Sequence, residues 1–236
     1  MKSLFKFSYL EEFFMVAIQE YNFINLKDFF LSVSRIAPKT IVLRIDVDFD
    51  PLRVKNIADI FNKYDIKGTF FFRLHGKYNI FSFPVLIIIQ DLIQAGHEIG
   101  IHTELVDMEK ICNQDPEKLL RTSIKIFESL FNTKIYGTAC HGDHTGNNNL
   151  DFWENKRSPQ DFGLLYEAYD KNLFERGYYV SDSLVSRWKK YFHGKLDENG
   201  ASDPLALIQE KNPEFVCLLL HPDSFFHQHY HENIKY

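Results

Sequence analysis

Short apolar runs that stop abruptly at acids or histidines, with segments of helical period between them, constrain this chain's fold more than any other feature. Ile41-Val42-Leu43-Arg44-Ile45 reads as a buried strand and runs directly into Asp46-Val47-Asp48-Phe49-Asp50. Asp50-Pro51 then supplies a cap and a first-turn proline for a helix whose apolar positions are Val54, Ile57, Ile60, Phe61 and Tyr64. The same Asp-Pro step recurs at Asp115-Pro116, ahead of Leu120, Ile124, Phe127 and Phe131, and again at Asp203-Pro204. Strands are expected at 69–74, 98–102, 134–140, 163–166, 178–181 and 215–220, with a further helix over 84–95 stopped by Gly96. Two amphipathic helical segments, 9–20 and 26–33, form a preface over about the first forty residues. Strand–helix alternation of this kind predicts about seven mostly parallel strands in one α/β domain, a distorted (β/α)7-type barrel spanning 1–236.

In a parallel α/β architecture the C-terminal strand ends share one mouth, where ligands bind. The polar groups expected there are Asp46 and Asp48, His102-Thr103-Glu104, His141-Gly142-Asp143, Ser181-Asp182-Ser183 and His221-Pro222-Asp223. Side chains alternate along a strand, so Asp46 and Asp48 share a face. One carboxylate and two imidazoles form a common ligand set for a catalytic divalent metal. A further carboxylate can take a proton from water, and a further histidine can protonate a leaving group. The irregular polar stretch 142–160 reads as a functional loop.

Composition narrows the class. Charged residues are 25% and hydrophobic residues 45% of the 236, the net charge is −5, and the basic residues are scattered, which speaks against a nucleic-acid groove. Three cysteines without metal-type spacing argue against a disulfide framework and favour a reducing compartment. Glu11 and Glu12 interrupt any signal-like apolar core, and the apolar run near 83–93 is too short to span a bilayer. The expectation is a cytoplasmic protein with no export signal and no membrane span.

The motif order resembles the polysaccharide deacetylases of carbohydrate esterase family 4. Arg44-Ile45-Asp46-Val47-Asp48 looks like the family's first motif and Lys67-Gly68-Thr69-Phe70-Phe71-Phe72 like its second strand. Gly96-His97-Glu98-Ile99-Gly100-Ile101-His102-Thr103 is the most specific match, and Leu218-Leu219-Leu220-His221-Pro222 resembles the closing motif. The resemblance implies a distorted barrel that uses a bound metal, with Zn²⁺ the first candidate, to remove an acyl group from an amino sugar. It implies Asp46 as base, Asp48 and His102 as metal ligands and His221 as general acid. Two departures stand out. The family's first motif usually has adjacent aspartates, and Val47 separates them here, so the division of base and ligand between Asp46 and Asp48 is open. The family's second ligand histidine, four residues after the first, is replaced by Val106. His141 is the preferred substitute as third ligand and Glu104 the alternative; a backbone N–H near His141-Gly142 would assist the metal in holding the oxyanion.

Arg73 is a candidate to hold an acidic group of the substrate, or to pair with Asp46 or Asp48. Asp182 is a candidate for a sugar hydroxyl, or for orienting His221. His97 is expected to pack beneath the site, His144 to lie on the loop surface, and His227, His229 and His231 to belong to an exposed tail. The expected partner is an acylated amino sugar, an intracellular precursor of a surface polysaccharide such as a nucleotide- or lipid-linked intermediate. A binding module of the same fold that has lost catalysis, and an amidase acting on a non-sugar amide, are the rival functions.

Overall fold

The computed structural model describes residues 4–154, 157–184, 187–199 and 202–233. Its organising element is a strand whose eight residues are all buried, β2 (Thr40–Val47). A strand with no exposed face must be covered on both sides, and the chain provides that cover. On one edge β2 pairs in parallel with β1 (Asn22–Ile24) along its first half and with β3 (Thr69–Arg73) along its second. On the other edge it pairs in parallel with β10 (Phe215–Leu220). From β3 the sheet continues through β4 (Glu98–Thr103), β5 (Gly137–Cys140) and β6 (Tyr166–Glu167), all parallel. From β10 it continues through parallel β7 (Tyr178–Leu184), then antiparallel β8 (Arg187–Phe192) and β9 (Lys195–Leu196).

The sheet is therefore mixed and largely parallel, as the alternation predicts. The pairing order is an open path, and among the described residues its end strands β6 and β9 do not pair with each other. The β8–β9 ribbon, the short β1 and the helix directly after β4 are elements that periodicity did not predict. The expected strand over 134–140 begins only at Gly137, and that over 163–166 shrinks to Tyr166–Glu167.

Helices cover the outer face. The preface forms α1 (Phe7–Ala17), which buries Leu10, Phe13 and Phe14, and α2 (Leu26–Leu31). After β2 a single 3₁₀ turn, Pro51–Arg53, precedes α3 (Val54–Lys63), and Asp50 caps that turn by accepting from the Leu52 N–H at 3.1 Å. Next come α4 (Phe83–Gln94), α5 (Leu105–Cys112) and α6 (Pro116–Phe131). Asp115 caps α6, and Leu120, Ile124, Phe127 and Phe131 are its buried residues together with Ser123, matching the 3.6-residue period. Two single turns, α7 (Asp151–Glu154) and α8 (Lys171–Phe174), interrupt the later loops, and α9 (Pro204–Lys211) starts at the Asp203 cap. Tyr9 donates to that cap at 2.6 Å, which ties α1 to α9. Among the described residues no helix is long and apolar enough to cross a membrane.

The inner face holds a second, smaller apolar cluster, including Val42, Phe71, Ala139, Tyr166, Cys217 and Leu219. At the N-terminal strand ends this face is plugged. Glu98 accepts from the Tyr166 hydroxyl at 2.7 Å, the Thr69 hydroxyl at 2.6 Å and the Lys27 N–H of α2 at 2.8 Å. His97 sits on the outer side of the same end, accepting from the Gly68 N–H at 3.2 Å, with its ring against Phe61 and Phe70.

Candidate functional site

Strand alternation aims Arg44 and Asp46 at the same interior face, and Asp48 follows one residue past the end of β2. Arg44 is fully buried, with its guanidinium 4.3 Å from the centre of the Tyr169 ring and its Nη1 donating to the Tyr179 hydroxyl at 3.2 Å. It grips Asp46 in two places, Nε to Oδ1 at 3.0 Å and Nη2 to Oδ2 at 2.7 Å. Burial alone would raise the Asp46 pKa, but the Arg44 charge outweighs it and holds the carboxyl below its ordinary value. Asp46 is thus a fixed, ionised carboxylate at the floor of the mouth.

The registers bring the other groups to the same height. Arg73 lies opposite His102, and His102 opposite Ala139, so the ends of β3, β4 and β5 are level. The His102 Nδ1 lies 2.8 Å from the Ala139 carbonyl oxygen, which can only accept, so this nitrogen carries the proton. The other nitrogen, Nε2, then faces Asp48 Oδ1 at 3.2 Å and Asp46 Oδ2 at 3.4 Å. His141 Nε2 approaches the same Asp48 oxygen at 3.8 Å. Asp48 Oδ1 is buried with no hydrogen-bond partner. Ligand atoms of Asp48, His102 and His141 all lie within 4.8 Å of one another, a spacing able to hold a metal ion. Burial raises the Asp48 pKa, yet His102, His221 and His141 more than offset this and lower it strongly.

On the opposite side of Asp48, β7 and β10 pair with Leu219 opposite Ser181, which brings Asp182 beside His221. Asp182 accepts the His221 backbone N–H at 2.8 Å and lies 2.5 Å from the ring Nδ1. His221 Nε2 faces Asp48 Oδ2 at 3.8 Å. Burial would depress the His221 pKa, but Asp182 first, then Asp48 and Asp46, pull it up to about 9. The imidazole is therefore cationic at neutral pH and its Nε2 has a proton to give.

The sequence-derived residues fall into two groups. Asp46, Asp48, His102, His141 and His221 all line one cavity of about 590 Å³, together with Gly142, Tyr169, Tyr230 and others. Arg73 and Asp182 stand behind it. Arg73 is 4% exposed, pairs with Glu104 rather than with the Asp46 or Asp48 carboxylates, and donates to the Asp48 backbone carbonyl at 3.1 Å. Asp182 is fully buried with both oxygens turned to His221, so its placement is that of an orienting group. His144 is half exposed on its loop, as expected, but its Nε2 also lies 3.3 Å from Glu104. His227, His229 and His231 are exposed.

Arg44 and Asp107 escaped sequence reasoning. Arg44 sits inside an apolar strand run that hides its role, although its i, i+2 spacing to Asp46 is a usable signal. Asp107, 1% exposed, anchors the loop that follows His141. It accepts from the His144 N–H at 2.9 Å, the Thr145 N–H at 3.1 Å and hydroxyl at 2.7 Å, and the Asn149 amide at 2.9 Å. Asn149 in turn accepts two N–H groups in the first turn of α5, Val106 at 3.0 Å and Asp107 at 3.1 Å. At position 106, where the family motif has its ligand histidine, a buried valine anchors this cap.

Residues 35–145 match the family model for polysaccharide deacetylase, a stretch that contains Asp46, Asp48, His102 and His141. Over this stretch, a little under half of the chain, the sequence is similar to the polysaccharide deacetylase family. Asp182 and His221 lie beyond the matched segment. Among solved structures, the Streptococcus pyogenes deacetylase PplD in complex with acetate is 17% identical with a TM-score of 0.44, over 56% of this chain and 63% of that one. The chitin deacetylase from the fungal pathogen Colletotrichum lindemuthianum is 19% identical with a TM-score of 0.36, over 44% and 46%. The polysaccharide deacetylase Bc1974 from Bacillus cereus is 13% identical with a TM-score of 0.45, over 77% and 79%. The alignment thus spans less than two thirds of the first two structures. No curated protein matches the chain.

Proposed function

We propose that the chain is a metal-dependent hydrolase that removes an N-acyl group, acetyl in the first instance, from an amino sugar. In this reading the parallel strands are staves of a distorted barrel and the cavity is its mouth. The observation that carries the proposal is the meeting of Asp48 Oδ1 and His102 Nε2 at 3.2 Å, with the other His102 nitrogen committed to a carbonyl. A neutral imidazole there would set two lone pairs against each other in a buried place. A divalent cation held by Asp48, His102 and His141 resolves that clash, and Zn²⁺ suits one carboxylate and two imidazoles. When bound, such a cation supplies Lewis acidity toward the acyl carbonyl and toward water.

The chain's own groups do the rest. Asp46, pinned by Arg44, accepts the proton of the attacking water as the new C–O bond forms. His221, charged and oriented by Asp182, donates its Nε2 proton to the nitrogen as the C–N bond breaks, so an acid and a free amine leave. The His141 N–H is already engaged by the Thr103 carbonyl at 2.9 Å, so the Gly142 N–H at the cavity wall is the remaining backbone donor for the oxyanion.

The test is acyl release from N-acetylhexosamine oligomers by protein stripped of metal and then reloaded with Zn²⁺, Co²⁺ or Mn²⁺. Reloading restores turnover in wild type. Asp48→Asn abolishes metal binding, and His221→Ala lowers kcat by about 10²- to 10⁴-fold without lowering metal content. Wild type that takes up no cation, or that cleaves simple amides but no N-acyl sugar, overturns the proposal.

A further inference from the structure

The three groups read as ligands are supported unequally, and the difference assigns a role to Glu104. His102 leans on a neutral carbonyl. His141 Nδ1 instead lies 3.2 Å from Glu104 Oε1, a carboxylate oxygen that is 3% exposed on its side chain and is gripped by Arg73. Arg73 ties this carboxylate to the other side of the site, because its second terminal nitrogen donates to the Asp48 carbonyl. The backbone of His141 is held independently, through its N–H to Thr103 and its carbonyl to the Asn149 amide at 3.2 Å. What the backbone leaves undetermined is the ring: its tautomer and its rotation toward Asp48. Both His141 Nδ1 and Glu104 Oε2 are buried without a hydrogen-bond partner, so the pair has capacity for a closer contact.

We propose that Glu104, clamped by Arg73, is a positioning residue that accepts the His141 Nδ1–H and so fixes the tautomer whose Nε2 lone pair points at Asp48. The inference rests on the reading of Asp48, His102 and His141 as metal ligands, and in it Glu104 is the support of the third ligand, not the ligand itself. Arg73 explains why. The guanidinium already compensates the Glu104 charge, and it would repel a cation bound directly to that carboxylate. A carboxylate behind a ligating imidazole both orients the ring and makes it a better donor, and loss of such a partner weakens metal binding about 10- to 100-fold.

The experiment uses the full chain, loaded with Co²⁺ or Zn²⁺, as wild type, Glu104→Gln and Glu104→Ala. Co²⁺ affinity is read from visible absorption in competition with a chelator. The ring Nδ1 protons of the Zn²⁺-loaded protein are read by ¹⁵N-resolved NMR, with the His102 proton as internal control. Affinity is expected to fall about 10- to 100-fold in Glu104→Ala and less in Glu104→Gln, whose amide oxygen still accepts. The His141 Nδ1 proton signal moves or vanishes in Glu104→Ala while that of His102 stays. Glu104→Gln keeps the volume of the native side chain and carries the test should the alanine variant not fold. Variants that bind Co²⁺ as tightly as wild type with the His141 signal unmoved overturn the inference, as does a Co²⁺ spectrum showing an oxygen ligand lost in Glu104→Ala. Wild type that binds no cation strikes the metal reading instead, so the two failures are distinguishable.

Discussion

At the scale of single residues, the site depends on one arginine that touches no solvent. Arg44 and Asp46 are both buried, and neither charge has another route to compensation as close as its partner. Removing one member of such a pair strands the other, at a cost of about 3–5 kcal/mol. Arg44→Met is therefore expected to lose that much stability in urea titration at pH 7. The double variant Arg44→Met/Asp46→Leu, which leaves no orphan charge, should regain most of it. A single variant as stable as wild type would mean that Asp46 is not held as an anion in the folded chain.

At the scale of elements, the helices that open on Asp-Pro could be read in advance because cap, proline and apolar period agree. Asp115 and Asp203 both accept N–H bonds from the first turns of their helices. The strand ends were legible for the same reason: apolar runs stop at the polar residues that line the mouth. What stayed illegible depends on contacts between distant segments. α5 is only eight residues and its N-terminus is capped by Asn149, more than forty residues later, so no local signal marks it. The β8–β9 ribbon is held by pairing to β7 and not by its own pattern. Sequence gives the strand end but not the direction of the side chain, so the Glu104 partner of Arg73 was not foreseen and the two roles open to Asp182 could not be separated. The loop stitched by Asp107 is a unit that can be broken alone. Asp107→Ala leaves the buried Asn149 amide and the part-buried donors of His144 and Thr145 without their acceptor and is expected to cost about 2 kcal/mol. Amide exchange should quicken across residues 142–149 well before it does in β2, and uniform acceleration over the whole chain would refute a separate loop unit.

At the scale of the whole molecule, the inner face is filled by aromatic rings that need bare backbone beside them. A Cβ on Gly100 would come within 2.3 Å of the Phe71 ring, and one on Gly137 within 2.2 Å of the Tyr166 ring. These rings pack between the plug at Glu98 and the acids at the mouth, so the site rests on them. Overpacking here is expected to be severe, about 3 kcal/mol for Gly100→Ala measured by chemical denaturation, with Phe71→Leu in the same chain relieving part of it. If Gly100→Ala is neutral, the interior is looser than its contacts indicate. The three free thiols sample this architecture at different depths: Cys112 is exposed on α5, Cys140 is buried behind the loop that Asp107 ties down, and Cys217 is fully buried at the centre of β10. Burial pushes the thiols of Cys140 and Cys217 up, so neither offers a thiolate until its surroundings open. The chain thereby holds its own clock of opening events, in which alkylation of Cys112 marks zero time, Cys140 reports departure of the loop, and Cys217 reports collapse of the sheet.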